Sequence, residues 1–402
     1  MRDVILVINA GSSSLKFSAF AVGTDPALSL YLQGQVEQIG THPRLVACNA
    51  EGGLLVERSF EPHAVPDHEA AMAEMATWLR NDGPGTRLVA AGHRVVHGGF
   101  AFADPVLIDD KVLIRLEALT RLAPLHQPAN LAGIRGLRRR FPHLPQVACF
   151  DTAFHRGHPE IADRFAIPNE LYEDGVRRYG FHGLSYEYIV QRLPSFAPRE
   201  AQGRVIVCHL GSGASMCAIK SGRSLDSTMG FTALDGLPMG TRCGALDPGV
   251  VTYLIREKRL SAAEVEKLLY HGCGLRGLSG ISNDVRDLLE SRDAAAALAL
   301  DYFTYHVARQ LGSLAAVLEG LDGIVFTAGI GEHSPEIRAR ICRRAAWLGV
   351  RLDDDANTAN EPCISARDSA VTVWVIPTNE EAIIAQHTAG LVRPLVPAII
   401  SS

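Results

Sequence analysis

The chain has 402 residues, 47% of them apolar and 21% charged, and a formal net charge of −5. That length holds two or three domains with full-sized cores, and the acidic balance offers no basic footprint for nucleic acid. No apolar run approaches the roughly 18 residues of a membrane span. The apolar stretch from Val4 is too short for a signal-peptide core. Eight scattered cysteines without a Cys-x-x-Cys fit thiols in a reducing, cytoplasmic compartment.

The first third alternates strand and helix patterns. Residues 4–8 and 17–22 read as two strands joined by a Gly11-Ser12 turn, a β-hairpin signature. A helix is predicted from His68 to Leu79 with Asp67 as its cap, followed by a strand at 88–91. Helices are expected at 110–121 and 128–139, with Pro124 and Pro128 bracketing a non-helical stretch around His126, then a strand at 146–150. After residue 201 the pattern restarts. Val205 opens a second apolar strand that ends in His209 and a Gly211-Ser212 turn, predicting a hairpin over 204–220. Helices follow near 248–257, 261–270 and 293–319, then a strand at 323–327, a helix at 335–346, a strand at 371–376 and a last helix from about Thr378. Ser334 and Pro335 have the chemistry of an N-cap and first helical residue, and Thr378 with Glu381 has capping-box spacing. Two hairpins, each followed by β-α units, predict a duplicated α/β fold with a hinge near residue 151 and the C-terminal helix returning to the first domain.

Four polar clusters interrupt apolar segments. Arg94 follows a strand and precedes Gly98-Gly99, which aims it at a strand-end cleft; a surface ion pair is the plain alternative. His93 and His97 lack the helical context that would make their spacing a metal site. Asp151 ends the strand at 146–150, where carboxylates face ligand crevices in α/β sheets, although it could merely cap a turn. His182 sits among Gly180, Phe181 and Gly183, as a structural histidine also would. Arg242 lies in a loop between Gly240 and Gly244, either positioned or simply a surface loop. The turn at Gly329-Ile330-Gly331 suits a nucleotide phosphate, and Glu380 is not needed for a capping box. There is no P-loop and no hydrolase elbow. Two loop-placed arginines, several histidines, two candidate magnesium carboxylates and two phosphate-gripping turns, without an activated nucleophile, suit phosphoryl transfer to an acceptor that is already ionised.

Taken together, these segments resemble the acetate kinase family, within the superfamily of acetate and sugar kinases, heat-shock chaperone ATPases and actin. The resemblance runs through Asn9–Lys16, Gly92–Gly99, Pro124–His126, Phe150–His155, Tyr179–Ser185, His209–Gly213, Met239–Gly244, Gly329–Glu332 and Thr378–Glu381. It implies a duplicated actin-like (ribonuclease H-like) two-domain fold with the active-site cleft between the domains. The N-terminal domain would take 1–151 plus about 385–402, and a nucleotide-binding and dimerisation domain 152–384. It implies Mg2+-dependent transfer, with Mn2+ able to substitute, of the ATP γ-phosphoryl to acetate, giving acetyl phosphate and ADP in a cytoplasmic homodimer without nucleic-acid or membrane partners. By position, Arg94 and Arg242 would bind acetate and the transferring group, His182 and Arg242 would stabilise the transition state, and Asp151 would orient the site. Asn9 and Glu380 would serve the metal. Ser12, Ser14, Lys16, His126, His209, Leu210, Gly211 and Gly213 would serve the phosphates. Asp284, Arg286, Gly329, Ile330 and Gly331 would serve the nucleotide. Val96, Leu125, Phe181 and Ala233 would line the methyl pocket. Ala233 stands where the family often has Pro, which widens that pocket and makes a propionate or other short-chain carboxylate kinase the runner-up. Cys243, Ala245 and Val285 replace the family's frequent Ser, Asp and Phe. An actin-like ATPase is the reading from another class, and the two arginines argue against it.

Overall fold

The computed structural model describes residues 2–11, 13–23, 28–81, 83–124 and 126–393. They form two compact units, one from Met1–Ala153 with Asn379–Ser402, the other from Phe154–Thr378.

The first unit is built on one sheet. Its strands are β1 (Arg2–Ala10), β2 (Leu15–Ala21), β3 (Ser29–Glu37), β4 (Arg44–Asn49), β5 (Leu54–Ser59), β6 (Thr86–Val95), β7 (Val106–Leu107) and β8 (Gln146–Phe150), in the order β5-β4-β3-β2-β1-β6-β8-β7. β1 is central and buried from Val4 to Ile8, as expected of a strand covered on both faces. It pairs antiparallel with β2 and parallel with β6, and β6 pairs parallel with β8. Helices His68–Asn81 and Gln127–Arg140 pack against each other, and Met72, Met75, Trp78 and Leu137 join Leu6, Ile8 and Phe17 in one core. Helix Glu380–Val392 lies against β1, β6 and β8. Gly92 makes that approach possible, since a Cβ there would fall 2.3 Å from Thr388 Oγ1 and 2.5 Å from Ile384.

The second unit carries β9 (Arg204–Leu210), β10 (Ala214–Lys220), β11 (Arg223–Ser227), β12 (Gly323–Thr327) and β13 (Thr372–Val375), in the order β11-β10-β9-β12-β13. Helix Gly183–Phe196 contributes Tyr186, Ile189 and Leu193 to a core with Val205, Val207 and Val325, and the 24-residue helix Ala294–Val317 runs against β9, β10 and β11. The two sheets share a plan. The runs β3-β2-β1-β6-β8 and β11-β10-β9-β12-β13 are both antiparallel through their first three strands and parallel through their last three. This is the duplicated actin-like fold.

Several local expectations need correction. β3, β4, β5, β7 and β11 were not anticipated. The helix expected over 110–121 is α-helical only for Asp110–Ala118, and Leu119–Leu122 tightens to a 3-10 turn. Ser334 occupies an N-cap position but its hydroxyl caps nothing. The cap of the last helix is Asn379, whose Oδ1 accepts from Ala382 N at 2.9 Å; Thr378 is not the cap, and its hydroxyl meets Ser185 instead. Asp67 does cap its helix, accepting from Ala70 N at 2.9 Å.

Candidate active site

In the first unit the carboxyl ends of three parallel strands bring together Asn9 from β1, Arg94 from β6 and Asp151 just after β8. Register sets this up, because Ile8 lies beside His93 and Val95 beside Phe150. Asp151 is 1% exposed and accepts two hydrogen bonds from Arg94, from Nε at 2.9 Å and Nη2 at 2.6 Å. This is the planar bidentate pairing that a guanidinium makes best, so Arg94 is not a loose surface ion. Arg94 Nη1 also reaches Asn9 Oδ1 at 3.4 Å, and Glu380 Oε2 lies 3.6 Å from Arg94 Nε. Burial lowers the charge tolerance of Arg94, but the carboxylates of Asp151 and Glu380 outweigh it and raise its pKa. Burial pushes the Glu380 carboxyl up to about 7, with Asp151 and Glu381 adding to the rise and Arg94 and Lys16 opposing it.

The donors here are all oxygens, from Asn9, Asp151 and Glu380. Mg2+ is typically held by one or two carboxylates plus substrate phosphates and water. Among the described residues no group of three or more His, Cys, Asp or Glu could hold a metal alone. The set therefore fits an ion completed by a nucleotide's phosphates.

Sequence reasoning missed Asn130. Its buried amide donates to Ala10 O at 2.8 Å and accepts from Val96 N at 3.0 Å, tying the ends of β1 and β6. A polar residue at an apolar-spaced position of helix 127–140 was the available signal. Lys16 faces Asn9 across the hairpin, and Ser14 closes its turn by accepting from Gly11 N at 2.8 Å. Val96 is buried, and His126 precedes the helix Gln127–Arg140 without capping it. Ser12 and Leu125 lie outside the described residues. His93 is buried against Gln146 Oε1 at 2.8 Å, and burial lowers its pKa to about 4. It belongs to packing.

In the second unit His182 and His209 stack, with ring centroids 4.0 Å apart and planes 20° from parallel. His209, next to last in β9, lies opposite Ser215 of β10 and beside Thr327 of β12. His182 has left-handed backbone, φ 58°, where the chain enters helix Gly183–Phe196. The preceding Phe181 is buried, and its carbonyl meets His155 Nε2 at 3.0 Å. The Arg242 loop is well anchored. Thr241 Oγ1 donates to Tyr270 O at 2.8 Å, Cys273 N to Thr241 O at 3.0 Å and Leu275 N to Met239 O at 2.9 Å. Gly244 is required at φ 71°, where a Cβ would also fall 2.5 Å from the Leu237 backbone. Arg242 Nη1 donates to Ala233 O at 3.1 Å. A Cβ placed on Gly213 would lie 3.4 Å from His182 Nε2 and 3.7 Å from Arg242 Nη1, so an imidazole nitrogen and a guanidinium converge on that glycine.

Beside it is a cavity of about 360 Å3 lined by Gly211, Ser212, Asn283, Asp284, Val285, Arg286, Gly329, Ile330, His333 and Ser334. It gathers the candidate nucleotide residues Gly211, Asp284, Arg286, Gly329 and Ile330, and adds Asn283, Ser212 and His333, which sequence reasoning missed although Asn283 directly precedes Asp284. Gly331 is buried one residue beyond. Asp284 caps the next helix through Arg286 N at 2.8 Å, and the Arg286 guanidinium bonded to it holds its carboxyl below the usual range. Arg338, also missed, is fully buried and donates to Gly331 O and Glu332 O, each at 2.9 Å; these belong to the short helix Ala328–His333, so the segment expected as a Gly329-Ile330-Gly331 turn is helical and Arg338 fixes its C-terminal end.

Cationic and imidazole donors gathered at strand ends and a hairpin turn of a duplicated actin-like fold suit a phosphotransferase. A family model described as the Acetokinase family matches residues 4–386. An acetate kinase of Nitrobacter hamburgensis is 57% identical over 391 residues, covering 97% of this chain and 96% of that protein. A propionate kinase structure from Francisella tularensis subsp. tularensis superposes with TM-score 0.90 at 37% identity, covering 96% of this chain and 99% of its own. An acetate kinase structure from Porphyromonas gingivalis gives 0.87 at 36% identity, covering 97% and 100%. The chain belongs to the acetokinase family.

Proposed function

We propose that this protein transfers the γ-phosphoryl group of ATP reversibly to acetate, giving acetyl phosphate and ADP by direct in-line displacement. One observation carries the reading: His182 Nε2 and Arg242 Nη1 converge on Gly213, in the same turn whose Gly211 and Ser212 line the 360 Å3 cavity. Nucleotide in that cavity would direct its phosphates along the turn towards both donors.

Acetate is ionised at neutral pH, so no general base is needed. Its oxygen forms a bond to the γ-phosphorus as the bond to the β-phosphate's bridging oxygen breaks, and the electron pair leaves with ADP. The difficulty is anion meeting anion. Arg94 and Arg242 offset that repulsion, and His182 and Arg242 stabilise charge on the transferring group, where preorganised donors act most strongly. Asp151 holds the Arg94 guanidinium in one orientation. Val96, Leu125, Phe181 and Ala233 receive the methyl group. Ser12, Ser14, Lys16, His126, His209, Leu210 and Gly213 serve the phosphates, and Asp284, Arg286 and Gly329–Gly331 the nucleoside end. Asn9 and Glu380 would hold Mg2+, or Mn2+ in its place, which neutralises phosphate charge when bound.

The first unit is the acetate-side domain and the second the nucleotide domain. The second also mediates a homodimer, supported by helix Pro248–Arg256, which buries none of its residues and exposes Val250, Tyr253 and Ile255 beside Leu246. Eight free cysteines and no described helix long and apolar enough to span a membrane support a cytoplasmic setting.

The test is ATP-dependent acyl phosphate formation, trapped with hydroxylamine, on acetate, propionate and butyrate side by side. Preference for acetate supports the reading. A propionate rate equal or higher would move the substrate to longer acids through Ala233. No product with any acid would overturn it.

A further inference from the structure

His182 does not stand alone. Its Nδ1 is 2.8 Å from Ser215 Oγ, and the same oxygen is 2.5 Å from the Tyr186 hydroxyl. Ser215 and Tyr186 are both fully buried. Ser215 is placed by the β9–β10 register, opposite His209. Tyr186 lies one helical turn after His182, its backbone N–H donating to His182 O at 3.1 Å. Fold and side chains thus close a loop from His182 through Ser215 and Tyr186 back to His182.

A serine hydroxyl has one proton to give and lone pairs to accept with. A phenol is more acidic than an alkanol and is the stronger donor, and the short Tyr186–Ser215 contact fits a phenol donating to Ser215. With Tyr186 donating, the Ser215 proton is available to Nδ1 of His182. In that arrangement Nδ1 is the bare nitrogen and the ring proton sits on Nε2, the atom aimed at Gly213. The stacked His209 ring, 4.0 Å away, disfavours both imidazoles being charged at once, because two imidazolium ions at that separation would repel strongly.

Resting on the reading above, we propose that Tyr186 and Ser215 are positioning residues that hold His182 neutral as its Nε2–H tautomer, so that it meets the transferring phosphoryl as a donor with no proton to rearrange. Neither touches substrate. A histidine free to rotate or change tautomer would present a lone pair to an anionic oxygen for part of the time.

The direct test is the imidazole 15N spectrum of the full-length protein, with His182 assigned by its loss in His182→Gln. Wild type is expected to show a protonated Nε2 and a bare, hydrogen-bonded Nδ1. Ser215→Ala should give a mixture of tautomers, and Tyr186→Phe a weaker Nδ1 shift. Both variants should lose about tenfold in kcat, with KM for ATP and acetate within about twofold of wild type. Ser215→Thr, which keeps the hydroxyl, should recover most of it. A wild-type ring protonated on Nδ1, or on both nitrogens, would overturn the proposal even if the protein makes acetyl phosphate. Absence of acetyl phosphate alongside the Nε2–H tautomer would instead strike the functional reading and leave the positioning of His182 standing.

Discussion

Replacing Gly213 by alanine separates stability from activity in one step. Gly213 is outside the left-handed region, so alanine fits its backbone, and the added Cβ meets its nearest neighbours at ordinary contact distances of 3.4 and 3.7 Å. Folding should be unharmed, or improved by about 0.4–1 kcal/mol through a less flexible unfolded chain. Yet those neighbours are His182 Nε2 and Arg242 Nη1. A phosphoryl oxygen bonded to both would sit about 2.7–2.9 Å from each, in the volume the methyl group takes. Losing two hydrogen bonds to a charged group, at roughly 1.5–3 kcal/mol each, removes about 3–6 kcal/mol of transition-state stabilisation. That is about 10²–10⁴ in kcat. Thermal unfolding and the hydroxylamine assay, run on the same preparation, read both quantities. A kcat within about threefold of wild type at equal or higher Tm would refute the convergence of these donors on the reacting group.

Glu380→Gln should change how the nucleotide-free protein's stability depends on pH. The folded pKa of about 7 stands above the ordinary 4.5, so Glu380's contribution is fully present below about 4.5 and is lost as pH rises through about 7. His93, lowered by burial from 6.5 to about 4, acts oppositely, with stability rising as pH climbs from about 4 to 6.5. The wild-type-minus-variant curve cancels the histidine and should fall between pH 4.5 and 7; a flat difference would discard the raised pKa. Arg94→Lys cannot reproduce the bidentate contact with buried Asp151, and a loss of about 10² in kcat is expected; unchanged turnover would remove Arg94's assigned role. Arg338→Met leaves the Gly331 and Glu332 carbonyls without that donor and should lower Tm and raise KM for ATP, whereas a lower Tm with unchanged KM would uncouple Arg338 from the cavity.

Much of this was readable along the chain because it depends on local chemistry. Strands 146–150 and 323–327 coincide with β8 and β12, since short buried runs bounded by turn residues leave little choice. The two hairpins are recognisable from Asn9 and His209 because each follows a buried strand and precedes a glycine turn. The misses share a physical cause. β3 and β5 bury few positions, and their patterns fade into solvent-facing residues. Ser334 and Thr378 have capping chemistry, but local propensity does not decide what a hydroxyl meets in three dimensions: Thr378 finds Ser185, 193 positions away in sequence. Ser215 gains meaning only when register places it across from His209, and Asn130 only when its helix lies under two strand ends.

The return of helix Glu380–Val392 to the first sheet has a consequence for synthesis on the ribosome. The second unit is one uninterrupted segment, Phe154–Thr378, and can complete itself as it emerges. The first cannot. Its strands β1, β6 and β8 are translated early, but the helix that covers them, with buried Ile383, Ile384, Ala385 and Val392, comes last. For most of translation an apolar sheet face waits uncovered, the kind of surface that draws chaperones or aggregation. Because Glu380 opens that same helix, the nascent chain acquires its full set of candidate metal-binding oxygens only when the first unit closes its core.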